Sequence, residues 1–151
     1  MKKIFLLLVL VLFITGCSSN VTKPAKNVND FETAAENKGF TVEKDCKDYD
    51  GVSYIYEYGK IMTGESKVEM IVYSDSEKAD AVQKTHIESF DLLKSTGAQA
   101  KKEKGKNFYH YSLISNNKYM LSSRIDSTLI FCKVDLADKD LIESLITELG
   151  Y

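Results

Sequence analysis

Eleven consecutive apolar residues, 4–14, follow the basic start Met1-Lys2-Lys3, and beyond residue 28 the apolar positions break into short periodic blocks. Asn29 and Glu32 have capping-box spacing, and Phe31, Ala34 and Ala35 recur with a helical period until Gly39, which predicts a first short helix. Residues 40–43 predict a brief strand, and 45–51 a polar turn. Tyr54, Tyr56 and Tyr58 alternate with Ser53, Ile55, Glu57 and Gly59, while Val68, Met70 and Val72 alternate with Lys67, Glu69 and Ile71; both blocks have the two-residue period of strands. Ser74 and Glu77 form a second capping box ahead of Ala79, Val82, His86, Phe90 and Leu93, a single stripe that predicts a helix over 76–95. Residues 98–106 read as a charged connection. Residues 108–115 and 118–124 flank Asn116-Asn117, a hairpin signal because asparagine tolerates positive φ. A β-branched strand over 128–134 then leads through Asp138 to a last helix with Leu141, Ile142, Leu145, Ile146 and Leu149 facing inward.

This order implies an α+β fold: a mainly antiparallel sheet with helices packed on one face, after an N-terminal helix. Residues 68–72 run through Ser74-Asp75 into a helix much as 129–134 run through Asp135 into the last one, which leaves open two related strand-strand-strand-helix halves.

The first apolar block does not belong to that fold. A membrane-crossing helix needs about 17–25 residues, so eleven behind a positive start fit the core of a secretory signal. The run ends in Ile14-Thr15-Gly16-Cys17, which resembles the lipobox of bacterial lipoproteins. The resemblance implies a diacylglycerol on the Cys17 thiol, cleavage between Gly16 and Cys17, and a membrane-anchored protein on the extracytoplasmic side. Two acyl chains suffice for stable anchoring, so the membrane part would be lipid rather than polypeptide. The expected organisation is signal peptide over 1–16, lipidated cysteine and flexible tether over 17–28, and a folded unit over 29–151.

Loss of residues 1–16 removes Lys2 and Lys3 and leaves 18 basic and 22 acidic side chains, net −4. A charge so weak and mixed argues against a nucleic-acid partner. Gly39-Phe40-Thr41-Val42, the block 123–130 and the ending 145–151 resemble a group of small lipoproteins and membrane-tethered proteins of Gram-positive bacteria. That resemblance implies location and fold, and no particular activity.

Candidate chemistry is sparse. Cys46 and Cys132 remain after lipidation in an oxidising compartment, where they either pair or stay as two separate thiols. Cys46, Asp48, Asp50, Gly51 and Glu57 partly match a calcium loop, but the first position lacks its acid and the exit reads as strand, so Asp50-Gly51 is expected to be a turn. His86 falls on the helical stripe, as a hydrogen-bonded core or boundary residue does. No local ligand pair supports a zinc site with His110, so no metal or cofactor is expected. No nucleophile or phosphate-loop motif is present; Ser122, Ser123 and Ser127 read as solvent-facing strand residues. Lys101, Lys102, Lys104 and Lys106 form a solvated cationic stretch, with contact to anionic headgroups or wall polymers as its functional alternative.

Nine tyrosines and no tryptophan complete the picture. Cross-strand packing is their ordinary role, and the alternative is an exposed binding face built from Tyr54, Tyr56, Tyr58, Tyr109 and Tyr111. The reading is a lipid-anchored, non-catalytic binding or interaction module of the cell envelope, with a protein, peptide or glycan partner. A small envelope enzyme and a modulator of a membrane protein are the competing classes.

Overall fold

The structure, a computed structural model, describes residues 20–44, 49 and 51–151. Gly16 and Cys17, the signal segment, Cys46, Asp48 and Asp50 lie outside the described residues.

The first helix, α1 (Val28–Glu36), starts two residues earlier than the sequence suggests, because Asn27 and Asp30 form the capping box by exchanging backbone-to-side-chain hydrogen bonds of 3.0 Å. This start buries Val28 and Phe31 together, and Asn29 instead accepts from the Lys44 ammonium. Residues 40–43 do not form a strand; only Glu43 bridges to Lys60. Strands β1 (Ile55–Thr63) and β2 (Ser66–Tyr73) form a hairpin, and an irregularity between Ile55 and Glu57 leaves Tyr56 out of register. Gly59 sits where α1 crosses β1: a Cβ there would lie 2.9 Å from Val28 Cγ1.

Helix α2 (Ser76–Asp91) is capped by Asp75, whose carboxylate accepts from the Lys78 amide at 2.8 Å. Then come β3 (Gln99–Lys104), β4 (Phe108–Ser115), β5 (Lys118–Ile125), β6 (Thr128–Asp135), a single 3-10 turn at Leu136–Asp138, and α3 (Lys139–Glu148). Asn116 and Asn117 have φ of 51° and 58°, the two positive values of a type I′ hairpin. The sequence shows β3 only as a charged connection because lysine is a poor strand former. Its hydrogen bonds come from β4, and as an exposed edge it gains from charges that discourage pairing with other chains.

All six strands are antiparallel, in the order β1-β2-β6-β5-β4-β3. The expectation of helices on one face is corrected. Phe31 of α1 and Leu145 of α3 pack with Ile61, Val68, Leu121, Ile130 and Cys132, whereas Ala79 and Phe90 of α2 pack with the alternate strand residues, Ile71 and Leu129 at one end and Tyr111, Leu113 and Met120 at the other. The sheet is therefore covered on both faces, which is why Ser122 and Ser123, expected to face solvent, are buried. It also dissolves the two-halves description. A twofold exchanging the antiparallel neighbours β2 and β6 would stand normal to the sheet and keep α2 and α3 on one face, and the second segment has four strands. Leu141, expected to face inward, is exposed at the start of α3.

The chain ahead of α1 is fastened to the sheet. The Lys106 amide donates to the Val21 carbonyl at 3.0 Å, and the Asn107 side chain both accepts from the Lys23 amide at 3.0 Å and donates to the Lys23 carbonyl at 2.9 Å. The Lys23 ammonium also lies 4.4 Å from the centre of the Phe108 ring.

Candidate functional site

Helix α2 lies over β2, β6 and β5 and touches β4 through Gln83, Phe90 and Asp91, so at its N-terminal half its outer flank and the β3–β4 side of the sheet enclose a polar groove. Two adjoining hollows make it up. The wider, of about 610 Å³, is lined by Glu77, Asp80, Lys84, Lys106, Asn107, Arg124 and Asp126. The inner, of about 280 Å³, adds Gln83, Ile87, Lys104 and Tyr109.

Arg124 is the floor where they meet. It is the single arginine among 20 basic residues, and its side chain is only 15% exposed. Its position on β5 brings it under Asp80 and Gln83, one helical turn apart on α2. Nε donates to Gln83 Oε1 at 3.3 Å, Nη1 donates to the Asp126 carbonyl at 3.2 Å, and Nη2 lies 3.4 Å from Asp80 Oδ1. Gln83 is itself buried and held in place: its amide donates to the Tyr109 carbonyl at 2.7 Å and the Ser122 carbonyl at 3.1 Å. The guanidinium has five N–H donors in a rigid fork, so these contacts fix its plane and leave donors on both terminal nitrogens. The Lys84 hydrogen bond to Asp80, followed by the charge of Arg124, holds the Asp80 carboxyl below the usual range. One carboxylate thus serves two cations, and Lys104 and Lys106 add two more on the opposite wall. The site can hold an anionic group against Arg124 with an apolar portion beside Ile87 and Tyr109.

The sequence reading missed Arg124, Asp80 and Gln83. The available signals were the lone arginine in a lysine-rich chain and a glutamine on the buried stripe of α2.

The histidines sit on opposite faces of the sheet. His86 Nδ1 lies 3.3 Å from Ser122 Oγ and its ring centre 4.2 Å from that of Phe131, the hydrogen-bonded boundary position expected of it. Burial pushes its pKa down to about 4, against the opposing charge of Glu69. Ser122 is fully buried, so nothing reaches its hydroxyl while α2 is in place. His110, 3.3 Å from Ser123 Oγ, faces α3 and is likewise lowered by burial. Among the described residues no cluster of three or more His, Cys, Asp or Glu could hold a metal ion.

The five tyrosines are not brought together. Tyr54 and Tyr56 are exposed, Tyr109 is half-buried in the groove, and Tyr58 and Tyr111 are buried. The Tyr58 hydroxyl donates to the buried Glu69 at 2.6 Å, and the Tyr111 hydroxyl donates to Asp91. These two cannot be part of an open face, since each is spent on packing and an internal hydrogen bond. Cys132 is buried on β6 between Val68 and Leu121, and burial raises its thiol to about 12. Lys101 and Glu103 point toward α3, whereas Lys102 lies over the Tyr111 ring on the α2 side, at 5.4 Å.

The chain carries a bacterial lipoprotein signal, which makes it a lipid-anchored, membrane-associated lipoprotein. The match is to the prokaryotic membrane lipoprotein lipid attachment site, over residues 1–18. No curated protein and no solved structure matches the chain.

Proposed function

We propose that the protein is a non-catalytic binding module on the extracytoplasmic side of the cell membrane, held there by a diacylglycerol on Cys17, and that its groove takes the phosphate or carboxylate of an envelope ligand. The observation that carries this reading is Arg124, a lone arginine locked in plane by Gln83 and the Asp126 carbonyl at the floor of a groove with lysines on both walls. The resemblance of blocks 39–42, 123–130 and 145–151 to small Gram-positive lipoproteins supports the location. The complete burial of Ser122 beneath α2 supports binding over catalysis.

Because the chain has one arginine, its side-chain Nε–H gives a single NMR resonance. Titration of the lipidated protein in non-ionic micelles with inorganic phosphate is expected to move that resonance saturably. Arg124→Lys is expected to weaken binding roughly ten- to a hundredfold, since a charge-assisted hydrogen bond to a charged group is worth roughly 1.5–3 kcal/mol and lysine lacks the fork. A resonance that does not respond to phosphate, with lysine 84, 104 and 106 amines equally unmoved, would remove the basis for an anion site.

A further inference from the structure

The fastened tether has a geometric consequence at the membrane. Between Cys17 and Val21 lie four residue steps, which extend to about 14 Å at most. Val21 is held to the β3–β4 turn by the Lys106 amide, and from there backbone hydrogen bonds cross one end of the sheet. The Asp126 amide donates to Asn107, the Tyr73 amide to Ser127, and the Ser74 amide to Tyr54, each at 2.8–2.9 Å. Val21, Tyr54 and Tyr56 therefore share one end of the molecule, exposed by 52%, 42% and 68%. The opposite end, with the C-terminus of α2 and Leu92, is a strand length away, about 27 Å for eight residues. While the clip holds, the leash is too short for that far end to reach the bilayer.

We infer that the end carrying Val21, Tyr54 and Tyr56 is a docking surface for the headgroup layer of the membrane that holds Cys17. Tyrosine, with an apolar ring and a polar hydroxyl, is the side chain that settles at headgroup depth. The charge at this end is mixed: Lys78 and Lys106 stand among the exposed carboxylates Glu57, Asp75, Glu77 and Asp126, so the tyrosine rings and the short leash carry the docking. The surface needs no tight affinity of its own, because the lipid chains already confine it. The groove opens at this same end, between Glu77 and Asn107, but the docking stands independently of what the groove binds.

The test uses the full lipidated protein in vesicles of phosphatidylglycerol and phosphatidylethanolamine containing a headgroup-spin-labelled lipid. A fluorophore is placed on Tyr56→Cys or on Leu92→Cys in a Cys46→Ser background, with Cys132 protected by burial. Quenching at position 56 is expected to exceed that at position 92 several-fold; equal quenching, or stronger quenching at 92, overturns the inference. A second form carries ten Gly/Ser residues between Ser19 and Asn20, which lengthens the leash and keeps the clip. If the surface itself docks, quenching at 56 still exceeds that at 92 several-fold on the longer leash. Equal quenching at the two positions would show that only the leash positions the domain, and would overturn the docking surface. Arg124→Gln, which removes the proposed anion site, is expected to leave the quenching pattern unchanged, so the two readings fail separately.

Discussion

Replacing Cys17 by alanine is expected to abolish palmitate labelling of the protein and to convert it from a species that survives alkaline washing of membranes to one that is released. In the proposed anchoring the Cys17 thiol accepts the diacylglycerol, and no other side chain in 1–18 can take its place as a nucleophile of comparable strength. Each acyl methylene contributes roughly 0.8 kcal/mol of transfer free energy, so two chains make an anchor that washing does not reverse. The apolar run at 4–14 is too short to substitute as a spanning helix, and among the described residues no helix is long and apolar enough to cross a membrane. Palmitate incorporation and alkaline extraction, measured side by side on the two proteins, check this. Unchanged labelling in the alanine form would contradict the anchor.

Acidification from pH 7 to pH 4 is expected to cost on the order of 3 kcal/mol of folding stability through His86 alone. In the folded protein the ring is neutral down to about pH 4, because charging it against Phe131 under α2 is unfavourable. Unfolded, it takes up a proton at its ordinary value near 6.5. Between those values the unfolded chain binds more protons, so stability is complete above pH 6.5 and is lost progressively as the pH falls. His110 and Asp80, both held below their ordinary values, add losses of the same sign toward acid. Denaturant midpoints measured across this range for the native protein and for His86→Phe separate the contributions: the variant should show a clearly shallower slope. An equal slope in both would show that His86 does not remain neutral when buried. The loss is set against a total stability of about 5–15 kcal/mol for a domain of this kind, so it is large enough to read.

The fold was legible where local chemistry and burial agree. The Asn116-Asn117 turn, the alternating strands β2, β4, β5 and β6, and the apolar stripes of α1 and α3 announce themselves, because in each the side chains that set the period also make the core. It was illegible where tertiary context supplies what the residues lack. Strand β3 reads as a charged loop and exists because β4 offers it a complete set of partners. Ser122 and Ser123 look solvent-facing, yet α2 closes over one and the α3 side over the other, since no periodicity states which face of a sheet a helix will choose.

The candidate site divides the same way. The lipid attachment signal over residues 1–18 is readable from the order of residue types alone, because it is recognised before any fold exists. The groove is assembled from α2, β5 and the β3–β4 turn, with Glu77 and Asp126 standing 49 positions apart in the chain, and no motif spans such distances. The tyrosines show the converse error. Their count and alternation suggest a common face, and the structure gives Tyr58 and Tyr111 to internal hydrogen bonds while leaving Tyr54 and Tyr56 at the end nearest the tether.

The anchored protein is proposed to capture an envelope ligand at the Arg124 groove. A photo-crosslinking side chain introduced at Lys84, on the wall of the groove, and separately at Asp140, exposed at the start of α3, tests it in intact cells. A discrete adduct is expected from position 84, absent from position 140 and lost when Arg124→Gln is combined with the probe. The same adducts from both positions, or an adduct at 84 indifferent to Arg124, would contradict it.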